Sequence, residues 1–325
     1  MVIIKKTISI LIAVTMLVSS FSIGTYAIEN EKLDLSQYTL EEILLMDNNQ
    51  FSALLNDFER VYDPYHTYGT SMQLTSNSSI SDENTITPYW TSGEKDLSTQ
   101  GSHELITARA CGVLMSDKGF WGNTNNGSTI IALSISLASI LPDKEWILGP
   151  IDLFKGHFYD PDTGKNWVGG TTNTARTNTE RFYNEAKGAY NADNMTEDFV
   201  EYIGKMLHYI QDASEPHHAA NIKANLAKTD SHSKFEEFAD ENINAYIDQL
   251  TGLSSSNYST TLIKAPGELV YETAKTAKGF SSKVNDVNDQ SQWNSVAGAT
   301  TRNSVRYSAM LLYKISIDLN IILTR

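Results

Sequence analysis

The chain has 325 residues, a net charge of −14 and a single cysteine. That length allows one large domain or two small ones with a substantial core. The negative balance argues against an electrostatic grip on nucleic acid or on anionic membranes, and a lone cysteine excludes an intramolecular disulfide.

Lys5 and Lys6 precede an apolar stretch over residues 8–18, and Thr25-Tyr26-Ala27 ends in a small residue. This is the pattern of a secretory signal peptide, so residues 1–27 are expected to be removed after Ala27. The alternative is an uncleaved anchor, for which the apolar run is short. Nothing later in the sequence reaches spanning length, and a soluble extracellular product is expected. In residues 28–89, Thr39 and Glu42 resemble a capping box, followed by Leu40, Ile43, Leu44, Phe51, Leu54, Leu55 and Phe58 at roughly helical spacing. Residues 71–87 are rich in Ser, Thr and Asn, as an exposed, cleavable linker would be. Residues 28–89 are therefore expected to be a propeptide; a permanent N-terminal subdomain is the alternative.

From Trp90 onward the pattern is helical. Leu105, Ile106, Ala110, Val113 and Leu114 mark a helix over 103–117, and 129–140 is a nearly continuous apolar run that suits a central buried helix. Residues 172–192 are polar and mixed. A helix over 196–213 places Glu197 and Asp198 in its first turn, where negative charge suits the helix dipole. Its apolar stripe is Phe199, Ile203, Met206, Leu207 and Ile210. Residues 232–250 carry Phe235, Phe238, Ala239, Ile243 and Ile247, and Val305 to Ile322 make a long C-terminal helix. No alternating strand pattern of comparable strength and no internal repeat is present. The fold class expected is all-α, a single domain of packed helices over 90–325. Cys111 lies in an apolar run and is expected to be a buried, inert thiol.

His208 and Asp212 are four residues apart, as are His232 and Glu236, and His218 lies between the two pairs. Spacing of i, i+4 puts both members of a pair on one helix face. Imidazole and carboxylate are the ligands zinc accepts where thiolate is lacking. Either pair alone is common on ordinary helices, as a solvated turn with an exposed histidine. Together, with His218 just past Pro216, they favour a metal. His217 and His218 are adjacent; if one faces the site, the other is a surface or supporting histidine. His157 precedes the turn signal Asp160-Pro161-Asp162-Thr163-Gly164, and Asp143 follows Pro142.

These residues together resemble the bacterial zinc-dependent phospholipases C, the group with the Bacillus phosphatidylcholine-hydrolysing enzyme and the clostridial alpha-toxin. The matches are Trp90 with His103, Pro142-Asp143, His157 through Thr163, Leu207 through Asp212 with Pro216, His218, Ala219 and Asn221, and His232 through Glu236. They run in the family's order and near its spacing, and cover most of residues 90–236. The resemblance implies a fold of packed helices around three Zn2+ ions. One zinc would be held by Asp143, His157, His208 and Asp212. A second would be held by His218, His232 and Glu236. The third would take His103, Asp212 and the amino group and carbonyl of Trp90, with Asp212 bridging. A main-chain amine can ligate at Trp90 only if the mature chain begins there, which gives the propeptide a physical purpose and makes the precursor a zymogen.

The activity implied is hydrolysis of a phospholipid at the glycerol-side phosphodiester, with Asp143 as candidate general base. Phe154 and Glu94 fall at or near the positions that hold the headgroup, by default choline; Lys144 falls where the Bacillus enzyme carries an aromatic. A monomer of the short, single-domain type is expected, with no nucleic-acid partner. The nearest rival is a P1/S1-type zinc nuclease, whose members usually carry disulfides; a non-catalytic zinc-binding protein is the rival from another class.

Overall fold

A computed structural model describes residues 101–121, 128–145, 154–192, 196–225 and 228–321. The expected signal peptide, propeptide, Trp90 and Glu94 lie outside these. Among the described residues the chain is helical, and its one piece of β pairing is an isolated bridge between Asp160 and Lys165. The order is α1 Ser102–Lys118, α2 Ser128–Ala138, α3 Leu141–Glu145, a 3₁₀ turn Lys155–His157, α4 Ala175–Ala189, α5 Glu197–Asp212 and α6 Pro216–Ala219. Then follow α7 Ser231–Glu241, α8 Ile243–Tyr246, a 3₁₀ turn Ile247–Gln249, α9 Ser255–Ile263, α10 Pro266–Lys278, α11 Ser281–Val284 and α12 Trp293–Asp318.

α5 is the central helix, with α4 along one side and α2, α1 and α12 around the rest. Residues 102–114 of α1 are all buried, so this helix has no solvent face to keep polar. The stripe Phe199, Ile203, Met206, Leu207 and Ile210 expected on α5 is buried in the main core with Ile106, Leu114, Ile131, Ile135 and Leu311. A second core joins Phe235 and Ala239 of α7 to Trp293, Val296 and Ala297 of α12. Cys111 is buried, and burial raises its thiol pKa, which leaves it inert.

Helix starts follow local chemistry. Thr196 Oγ accepts the Phe199 N–H at 3.2 Å, Asp230 accepts that of Ser233 at 3.1 Å, and Glu215 that of His218 at 2.6 Å, with Pro216 at the first helical position. In the turn after His157, Asp160 Oδ1 accepts the Asp162 N–H at 2.9 Å and Gly164 takes φ +71°. At Gly204 an added Cβ would lie 2.4 Å from Ala138 Cβ and 2.7 Å from Ser139 N, so α5 and the end of α2 cross at a distance only glycine permits.

Two expectations change. The stretch 232–250 is not one helix: it breaks at Asn242, whose side-chain amide donates to the Phe238 carbonyl at 2.7 Å and competes with the helical ladder. The C-terminal helix begins at Trp293 rather than near Val305, because Val296, Ala297, Thr300 and Thr301 already face the core.

Candidate metal centre

His208 and Asp212 lie one turn apart at the end of α5, and both are buried rather than solvated. The close crossing at Gly204 brings the Ser139 carbonyl to His208, whose Nδ1–H donates to it at 2.8 Å. That bond fixes the tautomer and leaves the lone pair on Nε2. Nε2 faces Asp212 Oδ2 at 3.0 Å, His157 Nδ1 at 3.0 Å and Asp143 Oδ1 at 3.6 Å.

His103, in the first turn of α1, is oriented the same way. Its Nδ1–H donates to Gln211 Oε1 at 2.7 Å, and Gln211 is held by Thr107 Oγ1 at 2.8 Å. His103 Nε2 is then 3.6 Å from Asp212 Oδ1 and 4.0 Å from Asp143 Oδ2. His157 presents Nδ1 to Asp212 Oδ2 at 2.8 Å and to Asp143 Oδ1 at 3.8 Å. Asp212 thus serves both sides. Its Oδ2 meets His157 and His208, while its Oδ1 meets His103 and, at 3.4 Å, His218 Nδ1. On α7, Glu236 Oε1 receives His232 Nε2 at 3.0 Å and His218 Nε2 at 3.2 Å.

The electrostatics follow from burial and neighbours. Burial pushes Asp143 up to about 8. Burial, then His208, lowers His103 to about 3. Burial alone would raise Asp212, but His208 and His157 outweigh it and hold the carboxyl well below the usual carboxylate range. Glu236 is lowered the same way, burial being outweighed by His232 and His218. For His218, burial is outweighed by Asp212 and Glu236, which raise the imidazole well above its ordinary value.

Several of these atoms have no answering group. Both Asp143 oxygens, His218 Nδ1 and His232 Nδ1 are buried without a hydrogen-bond partner. A proton on His157 Nδ1 can satisfy either Asp212 or His208, not both. Leaving such groups unanswered in a core is costly. Cations held by these groups would relieve much of that cost, and a donor set of imidazole and carboxylate without thiolate fits zinc.

Among the described residues, three buried groups have the reach: His103, Asp143 and His208; His157, His208 and Asp212; and Glu215, His218, His232 and Glu236, each with donor atoms within 4.8 Å of one another. All the expected side-chain ligands that are described converge: His103, Asp143, His157, His208, Asp212, His218, His232 and Glu236. Phe154 sits at their edge, half-buried, its ring 5.2 Å from that of His157. His103 groups with Asp143 and His208 here, in addition to its approach to Asp212.

Three participants escaped sequence reasoning. Gln211 orients His103, the Ser139 carbonyl orients His208, and Glu215 joins the second group. Glu215-Pro216 is a helix-start pair, which marks the Glu215 carboxylate as a cap for the His218 N–H but not as a member of the second group. A backbone carbonyl such as that of Ser139 leaves no mark in sequence.

Fold and donor set define a helical protein built around a buried histidine–carboxylate centre suited to zinc. Residues 102–300 match the zinc dependent phospholipase C family model, and the chain belongs to that family. It is 28% identical over 202 residues to a phospholipase C of Clostridium perfringens, covering 57% of this chain and 50% of that one. It is 33% identical over 134 residues to a phospholipase C of Bacillus cereus, covering 41% and 45%. The chain thus spans about half the length of these relatives. Among solved structures, the alpha toxin of Clostridium absonum superposes with a TM-score of 0.59 at 24% identity, covering 68% of this chain and 64% of that one. That likeness speaks for the fold.

Proposed function

We propose that this chain is a secreted zinc-dependent phospholipase C that hydrolyses the glycerol-side phosphodiester of a phospholipid, releasing diacylglycerol and a phosphorylated headgroup. The observation that carries the reading is the convergence of His103, His157, His208 and His218 on Asp212, with Asp143 facing three of these histidines, in a member of this family. The relatives named phospholipase C support the reaction class.

Eight side chains and Trp90 would hold three zinc ions, with Asp212 shared between two of them. When bound, zinc supplies Lewis acidity, neutralising charge on phosphate oxygens and lowering the pKa of water from about 15.7 toward about 7. The residues divide the remaining work by environment. Asp143 and Asp212 are neighbouring carboxylates pushed to opposite ends of the scale, one raised by burial and the other held anionic by two imidazoles. Asp143, the candidate general base, takes the proton of the attacking water or orients it. The lowered one suits permanent anchorage. His208 and His103 are locked by Ser139 and Gln211, so neither must reorganise during turnover.

The substrate is phosphatidylcholine, its trimethylammonium against Phe154 and Glu94. Phe154 is open enough for that, with φ +52° turning it beside His157. Maturation removes residues 1–89, freeing the Trp90 amine, and the enzyme acts as a monomer at a lipid surface. Among the described residues no helix is long and apolar enough to cross a membrane.

The test is a parallel assay of the mature secreted protein on a lecithin emulsion and on single-stranded DNA, each with and without chelator. Phosphocholine release that stops on chelation and returns with zinc is expected, with DNA left intact. Zinc-loaded protein that leaves the lipid whole defeats the proposal, and one that cuts DNA instead supports the nuclease rival.

A further inference from the structure

Glu215 is the one member of the three metal-capable groups that the family resemblance did not supply. It is fully buried, and it offers an oxygen within 4.8 Å of donor atoms from His218, His232 and Glu236. A carboxylate in such a place needs compensation. It has two hydrogen bonds. Oε2 accepts the His218 N–H at 2.6 Å, and Oε1 meets His217 Nδ1 at 2.8 Å. A carboxylate has about four acceptor positions, so two bonds leave capacity for a cation. Carboxylates that ligate metals are themselves steadied by outer hydrogen bonds, and this is the arrangement found.

A second observation points the same way. His217 stacks flat on His232, with ring centroids 5.0 Å apart and an interplanar angle of 1°. His232 Nδ1 and His217 Nε2 are both buried without a hydrogen-bond partner. The surroundings of Glu215 therefore hold more polar atoms than the protein alone answers. Charge agrees as well: two carboxylates and two neutral imidazoles leave a dication balanced, whereas Glu236 alone leaves it with excess charge in a buried place.

We propose that Glu215 is a fourth protein donor to the zinc site of His218, His232 and Glu236, and that His217 is its positioning residue. The proposal rests on the zinc reading above and deepens it at one site.

The test uses the full mature protein, stripped with chelator and titrated with zinc alone by calorimetry, then with cobalt followed by visible absorption. Glu236→Gln is the benchmark for losing this ion. Glu215→Gln is expected to lose one tight ion, or to weaken it by more than tenfold, and to change the cobalt spectrum. His217→Gln removes an outer partner and is expected to weaken the same ion by roughly tenfold. Should Glu215→Gln not fold, Glu215→Asp keeps the charge but withdraws the oxygens by one methylene, and the same weakening and spectral change are expected. If Glu236→Gln loses an ion while the Glu215 variant keeps the wild-type number, affinity and spectrum, the proposal is overturned and the zinc reading stands. If wild type binds no zinc, both fall together.

Discussion

Replacing Gly204 by alanine tests how the helix crossing serves the metal centre. The new Cβ would sit 2.4 Å from Ala138 Cβ, 2.5 Å from Ala138 C and 2.7 Å from Ser139 N. Ordinary carbon contacts are about 3.5–4.0 Å, so the end of α2 must retreat by about 1 Å. The His208–Ser139 bond, 2.8 Å now, would open to about 3.8 Å, past hydrogen-bonding range. Alanine gains about 1 kcal/mol of helix propensity. Against it stand overpacking, about 1–3 kcal/mol, and two unanswered buried polar groups, about 1–3 kcal/mol. The net expectation is a loss of about 1–5 kcal/mol. Zinc affinity should also fall about 10–100-fold, since His208 loses its outer partner. Urea unfolding of the chelated protein measures the first, and competition with a chromophoric chelator the second. A Gly204→Ala protein that is about 1 kcal/mol more stable, with zinc affinity unchanged, would refute the reasoning, because helix propensity alone dictates that result.

Gln211→Leu should cost about 1–3 kcal/mol in urea unfolding, through the Thr107 and His103 bonds it abandons, and should weaken zinc binding by freeing the His103 tautomer. Asp143→Asn should keep much of the zinc and lose most of the turnover; normal zinc with normal turnover removes Asp143 from proton transfer. N-terminal sequencing of active secreted enzyme should begin at Trp90, and any other start defeats the zymogen account. Calorimetric melting between pH 5 and 8 should give opposite trends with and without metal. His218 and His232 are raised in the folded protein, so without metal their ion pairs stabilise below the unfolded histidine pKa of about 6.5 and fade as pH climbs. Asp143, raised to about 8, adds to that loss because its buried charge is disfavoured, while His103, lowered to about 3, opposes it. Zinc needs neutral imidazoles, so its stabilising increment should grow with pH; an increment flat across this range would contradict the ligand assignment.

How much of this was visible in the sequence depends on whether a position is fixed by its own neighbours. The stripe of α5 and the apolar run of α2 declared themselves by period, and both are buried where expected. His208 with Asp212, and His232 with Glu236, were legible because helical spacing alone sets them side by side. His103 and Asp143 carried no local signal, being brought in by α1 and α3, and resemblance alone nominated them. Between Ser255 and Val284 no apolar period stands out, and two of its helices are marked in the sequence mainly by their starts, Ser254 capping Asn257 and Pro266 opening the next. The break at Asn242 and the crossing at Gly204 arise from single side chains that periodicity averages away. Glu215 was overlooked because one carboxylate before a proline resembles any helix start until His217 and His232 are seen stacked beside it.

Crystals of the processed, secreted protein, measured at the zinc absorption edge, test the central claim most directly. Strong anomalous peaks are predicted amid Asp143, His157, His208 and Asp212, and amid His218, His232 and Glu236. A hollow without zinc, its histidines and carboxylates bonded only to one another, or zinc held only elsewhere on the molecule, would contradict it.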